Sequence, residues 1–203
     1  MTHDDPRPRV FVSRFNRGIC IAIWAVLLVF AVSAVWLPGG AERFAGLVPL
    51  AALAALAYVA LWLPNLRVSD EGITVRNVLR TVSIPWEALV HVDTKYALTL
   101  NVPGRAVPVF VAPAPGTVTA SRLARRSRRE GRSLEAPRPG DLVGTDSGDA
   151  AALVRERWAE LQQAGRIEAG IAEQAPVTSR WNADTLTVAL LGAGASAAAL
   201  LLI

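Results

Sequence analysis

Arg67-Val-Ser-Asp-Glu-Gly-Ile-Thr-Val-Arg-Asn-Val-Leu-Arg-Thr-Val-Ser-Ile-Pro-Trp-Glu-Ala-Leu89 carries the pattern that sets the fold. Ile73 and Val75 alternate with Thr74 and Arg76, and Val82, Ile84 and Trp86 alternate with Ser83 and Pro85. A period of two is that of a strand with one buried face. Ser69-Asp70-Glu71-Gly72 and Asn77 to Arg80 supply turn chemistry between such strands. The alternation continues downstream. Val90 and Val92 flank His91, Leu98, Leu100 and Val102 follow, and Val107, Val109 and Val111 come after a Pro103-Gly104 turn. Residues from Asn65 to about Val111 are therefore expected to form half-buried antiparallel strands. A helix is expected over Asp149–Ala164, with Ala151, Val154, Trp158 and Leu161 as its apolar stripe. Asp149 is its expected N-cap and Gly165 its stop. Such a helix can close the open end of a small curved sheet and bury Trp158 there.

Outward from this core the chain turns apolar. The 52% apolar content is segregated, because residues 18–63 and 185–203 hold most of it while the middle is rich in charge. Gly18–Leu37 is an uncharged run of 20 residues, stopped by Pro38-Gly39-Gly40. As a helix it reaches roughly 30 Å, the thickness of a hydrocarbon core. Phe44–Leu63 is a second such run, stopped by Pro64, with Pro49 in its first turns where a missing N–H costs least. The short link between them forces an antiparallel hairpin. Leu186–Ile203 is a third run, with Asp184 placed to cap it and Trp181 where an interfacial aromatic is expected. Val32-Ser33-Ala34 resembles a signal-peptide cleavage site, but the apolar run continues through Trp36 and a second run follows at once.

Arginine gives the orientation. Arg7, Arg9, Arg14 and Arg17 precede the first run, and the hairpin loop carries only Arg43 beside Glu42. The other sixteen basic residues lie between the second and third runs. The positive-inside rule places the N-terminus and the central region in the cytoplasm and the C-terminus outside, in a multi-pass protein of the plasma membrane. Gly192 and Ser196 lie four apart on the third run and share a face that permits close helix approach. That face either packs on the hairpin, meets another protein, or reflects alanine-rich drift.

The D-E-G-I-T-V-R-N start, the arginine-bearing turn and I-P-W-E resemble bacterial pleckstrin-homology-like domains, closest to the type named for low-molecular-weight protein antigen 6 of actinobacteria. Two apolar runs followed directly by the domain also match. The resemblance implies a barrel of two roughly orthogonal antiparallel sheets closed by a C-terminal helix, and it brings no catalytic residues. A long insertion and the third run depart from the compact family pattern. The expected class is thus an α+β membrane protein. Residues 1–17 form a basic tail and 18–63 a transmembrane hairpin. Residues 64–165 form the pleckstrin-homology-like β-barrel with its capping helix and an inserted loop at 112–148. Residues 166–184 are a linker and 185–203 a third transmembrane helix.

The inserted loop holds Arg122, Arg125, Arg126, Arg128, Arg129, Arg132 and Arg138 against Glu130 and Glu135. Near an anionic bilayer each basic residue contributes on the order of 1 kcal/mol. Lipid contact and a merely solvated loop are both consistent with this composition, and an acidic protein partner is a further alternative. Nucleic acid is not expected, because the stretch lacks stacking aromatics. His91 and Asp93 share a strand face, but two ligands are too few for a metal site, and a surface polar pair is the simpler reading. Cys20 stands alone, so neither a disulfide within the chain nor a cysteine metal cluster can form. No phosphate-binding or nucleophile motif is present and the apolar runs contain no Asp, Glu, Lys, Arg or His, which argues against enzyme, cofactor and transporter readings. The sequence supports a non-enzymatic binding module that presents a cytoplasmic domain to protein or anionic lipid. A structural subunit of a larger envelope membrane complex is the alternative.

Overall fold

The computed structural model describes residues 8–36, 44–114, 139–168 and 170–201. The chain divides into two compact units. One comprises Met1–Ser13, Asn65–Asn77 and Thr81–Arg180, and the other Arg14–Pro64, Val78–Arg80 and Trp181–Ile203.

Two sheets build the first unit. β1 (Arg9–Phe11), β2 (Asn65–Val68), β3 (Ile73–Arg76), β4 (Arg80–Ile84) and β8 (Thr178–Trp181) form one, in the order β1-β2-β3-β4-β8. β5 (His91–Asp93), β6 (Ala97–Val102) and β7 (Arg105–Pro113) form the other in chain order. β2, β3 and β4 pair antiparallel, with Val75 opposite Leu66 on one side and Val82 on the other. The alternating residues face inward: Leu66, Val75, Leu98, Leu100 and Val109 are fully buried. They form one core with Val154 of α3 (Asp146–Gln163), and Trp158 packs against its margin.

The expected closed barrel is instead an open pair of sheets. β4 ends at Ile84 because Pro85 has no N–H to continue the ladder, and a 3-10 turn, Trp86–Ala88, leads to β5. The Trp86 ring is buried, with Nε1 donating to the Ser69 carbonyl at 2.9 Å. Elsewhere the Asn77 side chain spans the gap. Its Nδ2 donates to the Pro108 carbonyl and its Oδ1 accepts from the Phe110 N–H, both at 2.8 Å. One amide thus mimics a strand residue along the edge of β7.

Three further differences concern boundaries. α3 starts at Asp146 rather than Asp149, because Thr145 is the N-cap and its hydroxyl accepts from the Gly148 N–H. Asp149 instead accepts from the Gly144 N–H at 2.8 Å. Residues 9–11, expected within a tail, form β1 against β2, with Val10 opposite Arg67. Residues 178–181, expected within a linker, form β8.

The second unit is helical. α1 (Arg14–Trp36), α2 (Leu47–Ala57, continued by a π-helical turn at Tyr58–Trp62) and α4 (Ala183–Leu200) make it up. α2 packs against both α1 and α4. Among the described residues two helices, Arg14–Ala34 and Ala183–Leu200, are long and apolar enough to cross a membrane. The middle one, Leu47–Trp62, is shorter than its apolar run, because Phe44–Gly46 forms a turn ahead of it. α4 starts earlier than expected and its N-cap is Asn182 rather than Asp184. The Asn182 side chain donates to the Val78 carbonyl at 3.1 Å, and its N–H donates to the Leu79 carbonyl at 2.9 Å.

Candidate functional site

The turn between β5 and β6 is held by side-chain and backbone hydrogen bonds. Asp93 Oδ1 accepts from the N–H groups of Thr94 at 2.8 Å and Lys95 at 3.2 Å, fixing the turn locally. Thr94 is fully buried, and its hydroxyl donates to Asp141 Oδ1 at 2.8 Å. Arg155 of α3 donates to the same oxygen at 2.8 Å and to the Val92 carbonyl at 3.1 Å. Gly140 lies so close that a β-carbon there would overlap the Thr94 carbonyl oxygen. On the other side the Ala114 N–H donates to the Tyr96 carbonyl at 3.1 Å.

Ala114 on one side of residues 115–138, and Gly140 and Asp141 on the other, meet the Asp93–Tyr96 turn. Arg122, Arg125, Arg126, Arg128, Arg129 and Arg132 lie outside the described residues. Lys95 and Tyr96 are within them. The Tyr96 residue is 80% exposed, and Lys95 Nζ stands 5.1 Å from its ring centroid. Sequence reading missed this turn. Its signal was a Lys-Tyr pair between two alternating stretches, and its weight comes from contacts with residues 114 and 140 that only the fold brings together.

A second cluster joins the β2–β3 turn to α3. Asp70 receives Arg157, and also Arg166 at 2.8 Å, while Arg157 reaches Glu160 at 2.6 Å. Hydrogen bonds from Arg166 and then Arg157 hold the Asp70 carboxyl below the usual carboxylate range. The same contacts, Glu160 first, push Arg157 further up from an already high value. Beside the cluster lies a groove of about 290 Å³ lined by Ser69, Glu71, Thr74, Ser83 and Pro176 among others. Its walls offer hydroxyls and one carboxylate.

His91 and Asp93 both lie on β5. His91 stands opposite Asn101 and Asp93 opposite Thr99, and Asp93 is committed to the turn. Among the described residues no group of three or more His, Cys, Asp or Glu is gathered as a metal site.

In the helical unit Gly192 faces α2: a β-carbon there would stand 3.1 Å from that of Ala52. The Ser196 hydroxyl turns back to the Gly192 carbonyl at 2.7 Å. The Trp24 ring is stacked on both Tyr58 and Trp62, at 6.3 Å and 5.9 Å, and its Nε1 donates to the Ala54 carbonyl at 3.0 Å. The Arg17 guanidinium lies 4.8 Å above the Trp62 ring. Cys20 is buried in α1.

A family model described as bacterial PH domain matches residues 63–159. The match spans β2 to β7 and most of α3, and leaves β1, β8 and the apolar helices α1, α2 and α4 outside it. No curated protein matches the chain, and no solved structure does.

Proposed function

We propose that the PH-like domain at residues 63–159 is a non-enzymatic binding module anchored to the cytoplasmic face of a plasma membrane, with α1, α2 and α4 in the bilayer. The observation that carries this reading is connectivity. β1, β2 and β8 each join an apolar helix through no more than two residues, at Phe11 to Arg14, Trp62 to Asn65 and Trp181 to Ala183. The order of hairpin and domain also supports kinship with the low-molecular-weight protein antigen 6 type. The short middle helix suits the reading, because α2 is flanked by α1 and α4 and need not match the hydrocarbon thickness by itself. Arg14 and Arg17 at the start of α1, against the uncharged stretch that follows, support the inward orientation.

The arginines of residues 122–132 are the proposed contacts for anionic head groups. A second reading, a subunit of a larger membrane complex, draws support from an apolar cleft of about 380 Å³ between α1 and α2, lined by Trp24, Leu28, Ala31, Leu47, Leu50 and Ala51 among others.

Alkaline extraction of membranes tests the anchor: the chain is expected in the pellet, and recovery in the supernatant sinks the reading. Reporters fused within residues 37–43 and after Ile203 are expected to be active only outside the cytoplasm. Gentle purification from native membranes with mass spectrometry separates the two readings. Co-purified anionic lipid supports the first, and a stoichiometric protein partner supports the second.

A further inference from the structure

The helical unit carries a half-buried guanidinium with no anion beside it. Arg17 lies in the first turn of α1, and its Cζ stands 4.8 Å from the centroid of the Trp62 ring. Its Nε is buried with no hydrogen-bond partner, and among the described residues the side chain meets no carboxylate. Trp62 is itself held in place. It stacks on Trp24, which also stacks on Tyr58, and Tyr58–Trp62 is the π-helical turn, closed by the Leu63 N–H on the Tyr58 carbonyl at 3.2 Å. Such turns are rare and recur at functional sites. The ring attracts the charge of Arg17, but it supplies no acceptor oxygen to the guanidinium N–H groups. An N–H buried without an acceptor is costly. The arrangement therefore suits an acceptor that comes from outside the chain.

Depth selects that acceptor. In the proposed topology Arg17 is the last charge before the uncharged run Gly18–Leu37, and Trp62 ends the α2 segment on the same side. This is the level at which hydrocarbon gives way to lipid phosphate. A planar guanidinium matches phosphate oxygens with paired N–H donors. The same pairing recurs beside the start of α4. There Arg80 Cζ stands 4.0 Å from the Trp181 ring centroid, and Asn182 ties the segment down through the carbonyls of Val78 and Leu79. We infer that Arg17, backed by Trp62, binds the phosphate of one membrane phospholipid at the cytoplasmic end of the helical unit, with preference for an anionic head group. A zwitterionic lipid balances its phosphate with its own cation, whereas phosphatidylglycerol leaves that charge to Arg17. The inference rests on the membrane reading and is independent of the arginines at residues 122–132.

The test uses the full chain in a non-ionic detergent, with native mass spectrometry to count bound lipid as phosphatidylglycerol, phosphatidylcholine or inorganic phosphate is added. The wild type is expected to take up one phosphatidylglycerol ahead of any other, and phosphatidylcholine more weakly. Arg17→Gln should weaken that first step by about tenfold, the effect of losing a charged hydrogen-bond donor. Arg14→Gln removes the same charge from an exposed position on the same turn and should leave the step unchanged. Equal loss in both variants, or none in Arg17→Gln, overturns the inference. Displacement of the lipid by excess inorganic phosphate assigns the site to a free anion and overturns it too. Thermal unfolding separates binding from packing on Trp62. Phosphatidylglycerol should raise the midpoint of the wild type and of Arg14→Gln but not that of Arg17→Gln. A variant that melts lower yet gains as much from lipid gives Arg17 a packing role and overturns the site. Alkaline extraction keeps the two failures apart. A chain in the pellet whose Arg17→Gln form binds lipid like the wild type loses this site and keeps its anchor, whereas a chain in the supernatant loses both.

Discussion

Asp70 carries two guanidinium groups on one carboxylate, and that makes its charge matter to folding. Arg157, with 16% of its side chain exposed, is the more sheltered partner, and Arg166, at 54%, is well screened by water. Asp70→Asn keeps the shape and removes the charge, so it is expected to cost about 1–2 kcal/mol at neutral pH. The pH dependence has a definite sign. Asp70 binds its proton less readily in the native state than in the unfolded chain, where the pKa is about 3.9. Its contribution is therefore complete above about pH 5 and fades as pH falls through about 4 towards the depressed native value. Arg157 stays cationic throughout and adds no titration of its own. Thermal unfolding of the full chain in detergent checks this. The gap between wild type and Asp70→Asn should be open at neutral pH and narrow in acid, and equal midpoints at neutral pH would contradict it. Gly140 makes a steric prediction of the same scale. Its missing β-carbon leaves room for the Thr94 carbonyl, so Gly140→Ala must push the Pro139–Asp141 turn away, at a cost of about 1–3 kcal/mol. Gly194 has open space around it, and Gly194→Ala should be neutral or slightly stabilising. A scan in which both alanine variants melt together would refute the Gly140 contact.

Among the elements, one core packs the two sheets together, and Asn77 adds a hydrogen-bonded bridge between them where they share no ladder. Its amide both gives and takes a hydrogen bond on the β7 edge. Asn77→Asp retains an acceptor for the Phe110 N–H but sets a carboxylate against the Pro108 carbonyl. It should destabilise by about 2 kcal/mol, at least as much as Asn77→Ala. Hydrogen exchange at the Phe110 amide distinguishes the two: fast in Asn77→Ala, still protected in Asn77→Asp. Equal protection in wild type and Asn77→Ala would remove the bridge from the account. This device was not legible in the sequence, where Asn77 reads only as a turn residue. What was legible is what burial imposes locally: the alternation from Ile73 to Val111, and the stripe of α3. β1 is three residues long and has no period to detect; it exists because β2 offers an edge. β8 reads Thr-Ser-Arg-Trp and is exposed along its length, so no alternation marks it. The α3 start was misread because Thr145 and Asp149 both suit a cap, and only the hydroxyl of Thr145 reaches the Gly148 N–H. For the candidate site, composition exposed the arginine stretch, but the contacts of the Asp93–Tyr96 turn with Ala114 and Asp141 join residues distant in sequence.

At the scale of the whole chain, the proposed membrane topology has three helices crossing one slab, so their contacts must agree in depth. In the proposed topology Trp62 and Ala183 both lie at the cytoplasmic side. Ala52 precedes Trp62 by ten residues and Gly192 follows Ala183 by nine. At about 1.5 Å per residue these are depths of about 15 Å and about 14 Å, so the α2–α4 contact falls at one level near the bilayer centre. Small residues there let the backbones approach closely, which is the main source of helix association in lipid. The separation of 3.1 Å from a β-carbon at position 192 to that of Ala52 is somewhat shorter than the 3.5–4.5 Å of a disulfide, a difference that helices absorb by easing apart a few tenths of an ångström. Ala52→Cys with Gly192→Cys, in a Cys20→Ala background, should therefore cross-link within one chain when membranes are oxidised, giving a faster-migrating monomer that reductant reverses. Cross-linked dimers would assign this face to a second copy instead. A failure of any cross-link to form in membranes would place α4 away from α2 and remove the three-helix anchor on which the proposed topology depends.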